Sequence, residues 1–206
     1  KEAYVNKIRT ANLRMSGEQK VKEGDEVETT FECSNKDELL VFTDKGQVYK
    51  AKVDDFPDGK ASQLGVYVAG KLEMDQDEKV VYICVIKEYV GYMIFVFENG
   101  KVAKVDISAY QTKTNRKKLL KAYSLKSPLA CIEYIEEDCE LVLCSTSGRM
   151  LILNTGALTP KSSKDTIGVS VMTQKKNHKV ESMHHYEDGE FEKAWRFRTK
   201  NLPAEN

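Results

Sequence analysis

The feature that most restricts this chain is a three-residue turn ending in glycine that recurs between short apolar runs. Asp44-Lys45-Gly46 separates LLVFT from QVYKAKV. Glu98-Asn99-Gly100 separates YMIFVF from KVAKV, and Thr146-Ser147-Gly148 separates LVLCS from RMLIL. Such triplets suit a type I turn closed by a residue in the left-handed region, where glycine carries no Cβ penalty. The turn glycines are separated by 54 and 48 residues. An apolar strand is expected ahead of each pair: VETTFECS, KVVYICVI and ACIEYI in turn. YVNKI at 4–8 reads as the third strand of an earlier unit, with Ala3 at the glycine position. That makes about four units of about 50 residues, the period range of propeller-like arrays.

The predicted strands are 4–9, 27–33, 39–43, 47–53, 79–86, 92–97, 101–105, 130–135, 141–145, 149–153, 167–172 and 193–198. They are short and rich in β-branched and aromatic residues. Several alternate: Tyr49, Ala51 and Val53 share one face, and Val48, Lys50 and Lys52 the other. The best helical window, TNRKKLLKAY at 114–123, is basic enough to favour an exposed loop or short turn. The expected fold class is therefore all-β.

Hydrophobic residues make up 41% of the 206, enough for a core. No apolar run approaches the ~18 residues of a membrane helix. The N-terminus KEAYVNKIRT has no apolar signal region and no initiating Met, so the chain is expected to be a fragment of something longer. Five cysteines, an odd number without C-x-x-C, fit a cytoplasmic protein whose thiols pack as small hydrophobes. A zinc site built from His184, His185 and a Cys has no supporting spacing, so no metal is expected. Trp195 between Lys193 and Arg196 could stack on a base, but a core residue of the closing strand is the favoured reading.

Charge sums to zero, yet it is segregated. Residues 101–126 hold eight basic side chains against Asp106 alone, and 159–180 hold five against Asp165. Residues 1–22 carry six basic against two acidic. Acids collect at 18–38, eight against three Lys, and at 132–140, five with no base. Three of the basic stretches overlap the longer polar segments that follow the third strands. A recurring element on one rim would gather them into a basic surface.

Residues 37–72, DELLVFTDKGQVYKAKVDDFPDGKASQLGVYVAGKL, resemble a blade of the C-terminal domain of the A subunit of DNA gyrase and topoisomerase IV. The carrying elements are Leu39–Phe42, Thr43, Gly46, Val48, Tyr49, Lys50, Lys52, Pro57, Ala61–Ser62 and Gly65. The units around Gly100 and Gly148 match more loosely, and the ending RFRTKNLPAEN resembles the tails of such subunits. The resemblance implies a β-pinwheel of about four blades. These are four-stranded antiparallel sheets exchanging a strand with a neighbour, in an open arc unless upstream residues close it. The blades would run roughly 1–35, 36–88, 89–137 and 138–192, with 193–206 as closing strand and tail.

The resemblance also implies a non-catalytic domain that binds duplex DNA independently of sequence, bends or wraps it, and presents it to the strand-passage gate. Lys45, Lys50, Lys52, Lys101, Lys104, Arg116, Lys117, Lys118, Lys121, Arg149, Lys161 and Lys164 would be the contacts, the strand-borne Lys50, Lys52, Lys101 and Lys104 foremost. Cutting would belong to the rest of the A subunit, and ATP and Mg2+ to other domains and the ATPase B subunit, so this piece needs no cofactor. The parent would be a type IIA topoisomerase of the bacterial cytoplasm, acting at the nucleoid. The gyrase box Q-R-R-G-G-x-G has only the degenerate counterpart NLRMSGEQKVKEG, which favours topoisomerase IV-like activity over chiral wrapping. The competing reading is a propeller-like protein-interaction module without nucleic-acid binding. A hydrolase on a β-scaffold lacks any visible catalytic constellation.

Overall fold

The computed structural model describes residues 2–11 and 29–202. Its strands are β1 (Tyr4–Val5), β2 (Glu38–Thr43), β3 (Val48–Lys52), β4 (Val66–Tyr67), β5 (Val80–Ile86), β6 (Tyr92–Phe97) and β7 (Lys101–Asp106). These are followed by β8 (Lys118–Leu119), β9 (Leu129–Ile135), β10 (Glu140–Ser145), β11 (Met150–Asn154), β12 (Val169–Ser170) and β13 (Val180–His185). All paired strands are antiparallel, in sheets ordered β5-β2-β3-β8, β12-β7-β6-β9, β11-β10-β13 and β1-β4.

The chain divides into two compact units. One comprises Lys1–Glu88 with Thr114–Leu120, the other Tyr89–Lys113 with Lys121–Asn206. The first therefore takes its edge strand β8 from a segment that follows the opening of the second. In the second unit, β12 likewise closes the edge of a sheet whose other strands precede β10. This is the strand exchange of a β-pinwheel.

Each hairpin turn is closed by its expected glycine, with φ of 69° at Gly46, 85° at Gly100 and 81° at Gly148. The central strands are buried on both faces: Leu40, Val41 and Phe42 in β2, Ile94 to Val96 in β6, Leu141 to Leu143 in β10. Such strands read as continuous apolar runs. In the second unit Ile94, Val96, Leu141, Leu143, Leu153 and Met172 belong to one apolar cluster. In the first, Leu39, Val53 and Phe56 pack with Val5 and Val66.

Several strand expectations change. Residues 79–86 were expected to open the unit of YMIFVF; instead β5 pairs with β2 from Glu38↔Ile86 to Thr43↔Val80. The sheet is thus completed after the hairpin, not before it. Residues 29–33, the described part of the strand expected at 27–33, form none. The strand at 4–9 shortens to Tyr4–Val5, with an isolated bridge at Lys7↔Asp58. The one at 167–172 shortens to Val169–Ser170. Residues 193–198, expected as the closing strand, hold a 3-10 turn at Ala194–Arg196 and one parallel bridge, Ile152↔Arg198. Within 114–123 lies the edge strand β8.

Candidate nucleic-acid interface

Lys50 and Lys104 occupy equivalent places on the third strands of their sheets, four residues after the turn glycine. Neither reaches the surface: their side chains are 8% and 2% exposed. Lys50 pairs with Glu38 at 3.5 Å. The Lys104 ammonium donates to Asp138 Oδ1 at 2.8 Å and to the carbonyls of Thr155 at 3.0 Å and Leu158 at 3.2 Å. It also sits 4.2 Å from the Tyr92 ring centroid. A buried ammonium persists only when its donors are taken, and here three acceptors take them. These two residues, foremost among the expected DNA contacts, are internal fasteners. Alternation identified a shared face; it did not say that Lys50 and Lys104 are buried on theirs while Lys52 is exposed.

Lys104 also fixes the titration of its partner. Its hydrogen bond holds the Asp138 carboxyl below the usual carboxylate range, and the Thr155 hydroxyl adds to this against the opposing effect of burial. A depressed folded-state pKa contributes stability above the unfolded value, lost as pH falls through the folded one. We expect the thermal midpoint of the second unit to decline below pH ~4. Asp138→Asn should flatten that decline in a melting series; an unchanged acid limb would show that other carboxylates set it.

The remaining expected contacts are solvent-accessible to differing degrees. Lys45, Lys52, Arg116, Lys117, Lys121 and Arg149 are exposed, and Lys101, Lys118, Lys161 and Lys164 are half-buried. Lys45 donates to the Gln76 carbonyl at 3.1 Å. Lys118 pairs with Asp75 at 2.7 Å, which lowers the Asp75 carboxyl and raises the Lys118 ammonium.

The structure places Arg116, Lys117 and Lys118 of the first unit on one sheet edge. Lys50 N–H donates to the Lys117 carbonyl at 2.8 Å, and Lys118 and Leu119 oppose Tyr49 and Val48. Arg116, Lys117 and Lys118 therefore run consecutively along the outer side of β3. In the second unit the Lys161 backbone is clamped to β7 by bonds to the Lys104 carbonyl and from Asp106 N–H, both 2.9 Å. Lys101 faces Ser170 across β7 and β12.

The motif residues Thr43 and Tyr49 have a different task. With Asp75 N–H, their hydroxyls hold the buried Glu78 carboxylate, Tyr49 at 2.7 Å and Thr43 at 2.5 Å. Burial, with the hydrogen bond to Glu78 second, raises the Tyr49 phenol above its usual value. Ser145 and Gln174 form a similar link at 2.6 Å in the second unit.

The sequence profile described as DNA gyrase C-terminal domain, beta-propeller, matches residues 37–85 and 140–185. The DNA gyrase A subunit of Mycolicibacterium smegmatis is 29% identical over 136 residues, 65% of this chain and 15% of that protein. The DNA topoisomerase 4 A subunit of Bacillus subtilis is 29% identical over 130 residues, 61% of this chain and 16% of that protein. The crystal structure of a C-terminal domain of DNA topoisomerase IV superposes with a TM-score of 0.77 at 25% identity, covering 91% of this chain and 59% of that one. This chain belongs to the C-terminal domain family of the gyrase A and topoisomerase IV A subunits. It spans about one-sixth of the length of these curated relatives.

In this C-terminal domain the cationic set is wider than the twelve expected contacts. Lys175, Lys176 and Lys179 are exposed on the loop leading into β13. Their signal was the basic run 159–180, of which only Lys161 and Lys164 had been selected. The degenerate gyrase-box stretch at 12–24 lies outside the described residues. Trp195 is 61% exposed, so it is not the core residue its position suggested; the closing strand that would have buried it is a turn. The rings of His184 and His185 pair with Glu190 and Glu133. Among the described residues no cluster of three His, Cys, Asp or Glu could hold a metal, and no helix is long and apolar enough to cross a membrane. All five cysteines are free, and burial pushes the thiols of Cys84 and Cys131 up to about 12 and about 11.

Proposed function

We propose that this domain binds duplex DNA along the sheet edges where donated segments lie, and bends it for a type IIA topoisomerase. The observation that carries the reading is the outer edge of β3. Arg116 and Lys117 stand exposed there beside Lys118, in a stretch, 107–132, that contains no acidic residue. Lys161 and Lys164 hold the comparable place ahead of β12. Cations on such an edge neutralise phosphates and release counterions, which gives affinity without sequence preference and a steep dependence on salt. Each further contact offsets part of the few kcal/mol that bending a ~20–30 bp site costs. Cutting, ATP and Mg2+ then belong to other parts of a parent enzyme in the bacterial cytoplasm, and the direct partners are DNA, the rest of the A subunit and the B subunit.

The double variant Arg116→Glu/Lys117→Glu tests this. Both side chains are exposed, so folding should survive. Duplex affinity in a mobility-shift assay should fall about tenfold or more at low salt. The slope of log K against log salt should become shallower by about 2, one for each phosphate contact. Unchanged affinity and slope would remove the β3 edge from the interface.

A further inference from the structure

One loop backbone occurs twice, at 75–79 ahead of β5 in the first unit and at 175–179 ahead of β13 in the second. Glu78 N–H donates to the Asp75 carbonyl at 3.3 Å, and His178 N–H to that of Lys175 at 3.0 Å. Asp77 and Asn177 both take the left-handed conformation, with φ of 63° and 68°. The carbonyls of Lys79 and Lys179 each accept at 2.9 Å from the first residue of a hairpin turn, Asp44 and Thr146. The side chains differ in sign. Where the second loop exposes Lys175 and Lys176, the first exposes Asp75 and Gln76. The turn itself therefore does not require the acid.

Asp75 is directed at the cations of its own unit. Its carboxylate lies 2.7 Å from the ammonium of Lys118, the third cation of the β3 edge, and the two side chains are 51% and 33% exposed. The next carbonyl, of Gln76, accepts from the Lys45 ammonium at 3.1 Å. The Lys118 hydrogen bond is the main cause of the lowered Asp75 carboxyl; the Gln47 side chain and the Lys45 charge add to it. The loop is anchored beneath this carboxylate. Asp75 N–H donates to Glu78 Oε2 at 3.1 Å and to the Tyr49 hydroxyl at 3.2 Å. An ammonium with a second cation beside it is equally the environment a phosphate oxygen seeks.

We propose that Asp75 is an internal stand-in for a DNA phosphate, occupying Lys118 until the duplex displaces it and so limiting affinity at the β3 edge. The inference rests on the DNA reading. Carboxylate and phosphate oxygens compete for the same ammonium, and a cation paired within the protein adds no counterion release until that pair opens. An exposed ion pair is weak enough for a polyanion to open it. The edge thus holds Lys118 in reserve behind Arg116 and Lys117.

Asp75→Asn and Asp77→Asn remove the same charge from the same exposed loop, and asparagine suits the left-handed position 77. Asp75→Asn keeps the backbone N–H that anchors the loop; Asp75→Ser replaces it if it does not fold. In mobility shifts across a salt series, Asp75→Asn should tighten duplex binding about threefold or more beyond Asp77→Asn. The slope of log K against log salt should steepen by about 1, for one added phosphate contact. Lys118→Gln should lose about threefold more affinity in the Asp75→Asn background than in the native chain. Equal gains from the two asparagine variants would reduce Asp75 to general charge and overturn the proposal. So would a Lys118→Gln loss that is the same in both backgrounds. Neither result touches the DNA reading while native binding stays salt-dependent and sensitive to Arg116→Glu/Lys117→Glu. Absence of salt-dependent binding by both the native chain and Asp75→Asn overturns the two together.

Discussion

Replacing Lys104 with Met should lower the unfolding free energy of the second unit by about 2–3 kcal/mol, while the isosteric stem keeps its packing. Exchanging a whole buried ion pair for apolar groups is often neutral. Removing one partner is not, because the others stay behind with the ammonium's place unfilled. Here the Asp138 carboxylate keeps the Thr155 hydroxyl and the Thr155 carbonyl keeps the Leu158 N–H, while the Leu158 carbonyl loses the ammonium outright. Asp138 is 41% exposed, so water takes up part of its loss and keeps the figure below the full cost of an orphaned buried charge. Lys104→Glu should be far worse, setting a second carboxylate against Asp138. Urea unfolding reads both. A loss below about 0.5 kcal/mol for Lys104→Met, within the range of ordinary surface changes, would mean that the cradle contributes nothing. The same experiment guards the DNA question, since a charge reversal at Lys104 would abolish binding by unfolding the unit.

The buried lysines show where sequence reading stops. Turn glycines and central strands were legible because both are local: a three-residue turn needs a positive φ, and a doubly covered strand needs an unbroken apolar run. LLVFT, YMIFVF and LVLCS met that demand almost residue for residue. Pairing partners were not local. KVVYICVI precedes YMIFVF by five residues yet pairs with β2, some 40 positions upstream, because the pinwheel completes each sheet after its hairpin. The strand VESMHH was missed because only Val180 in it is buried, so it carries no apolar signal. For the cations the limit is burial. Lys50 and Lys117 are the same residue type in similarly basic company, and only burial makes one an internal fastener paired with Glu38 and the other a surface charge. The local rules that name a face cannot say what faces it.

A pair of alanine substitutions separates that covering from the turn beneath it. Gly100 and Gly148 close equivalent turns with nearly equal φ, 85° and 81°. Alanine at either pays the strain of a left-handed conformation, about 1 kcal/mol. At Gly148 that should be almost the whole effect, because a Cβ there has open space. At Gly100 the Cβ would stand 1.7 Å from the Met172 carbonyl and 2.7 Å from its carbon, both backbone atoms of the covering segment. That segment cannot shift without losing the bonds from Val171 and Met172 N–H to the Gly100 carbonyl, both 3.1 Å. Met172 is fully buried in the second unit's core, so the displacement spreads into packing as well. Gly100→Ala should therefore cost about 3 kcal/mol or more, in the range of severe core disruptions. The difference of about 2 kcal/mol between the variants measures how firmly β12 is seated, and denaturant unfolding of the two side by side reads it directly. Equal losses would mean that β12 lies loosely on its sheet.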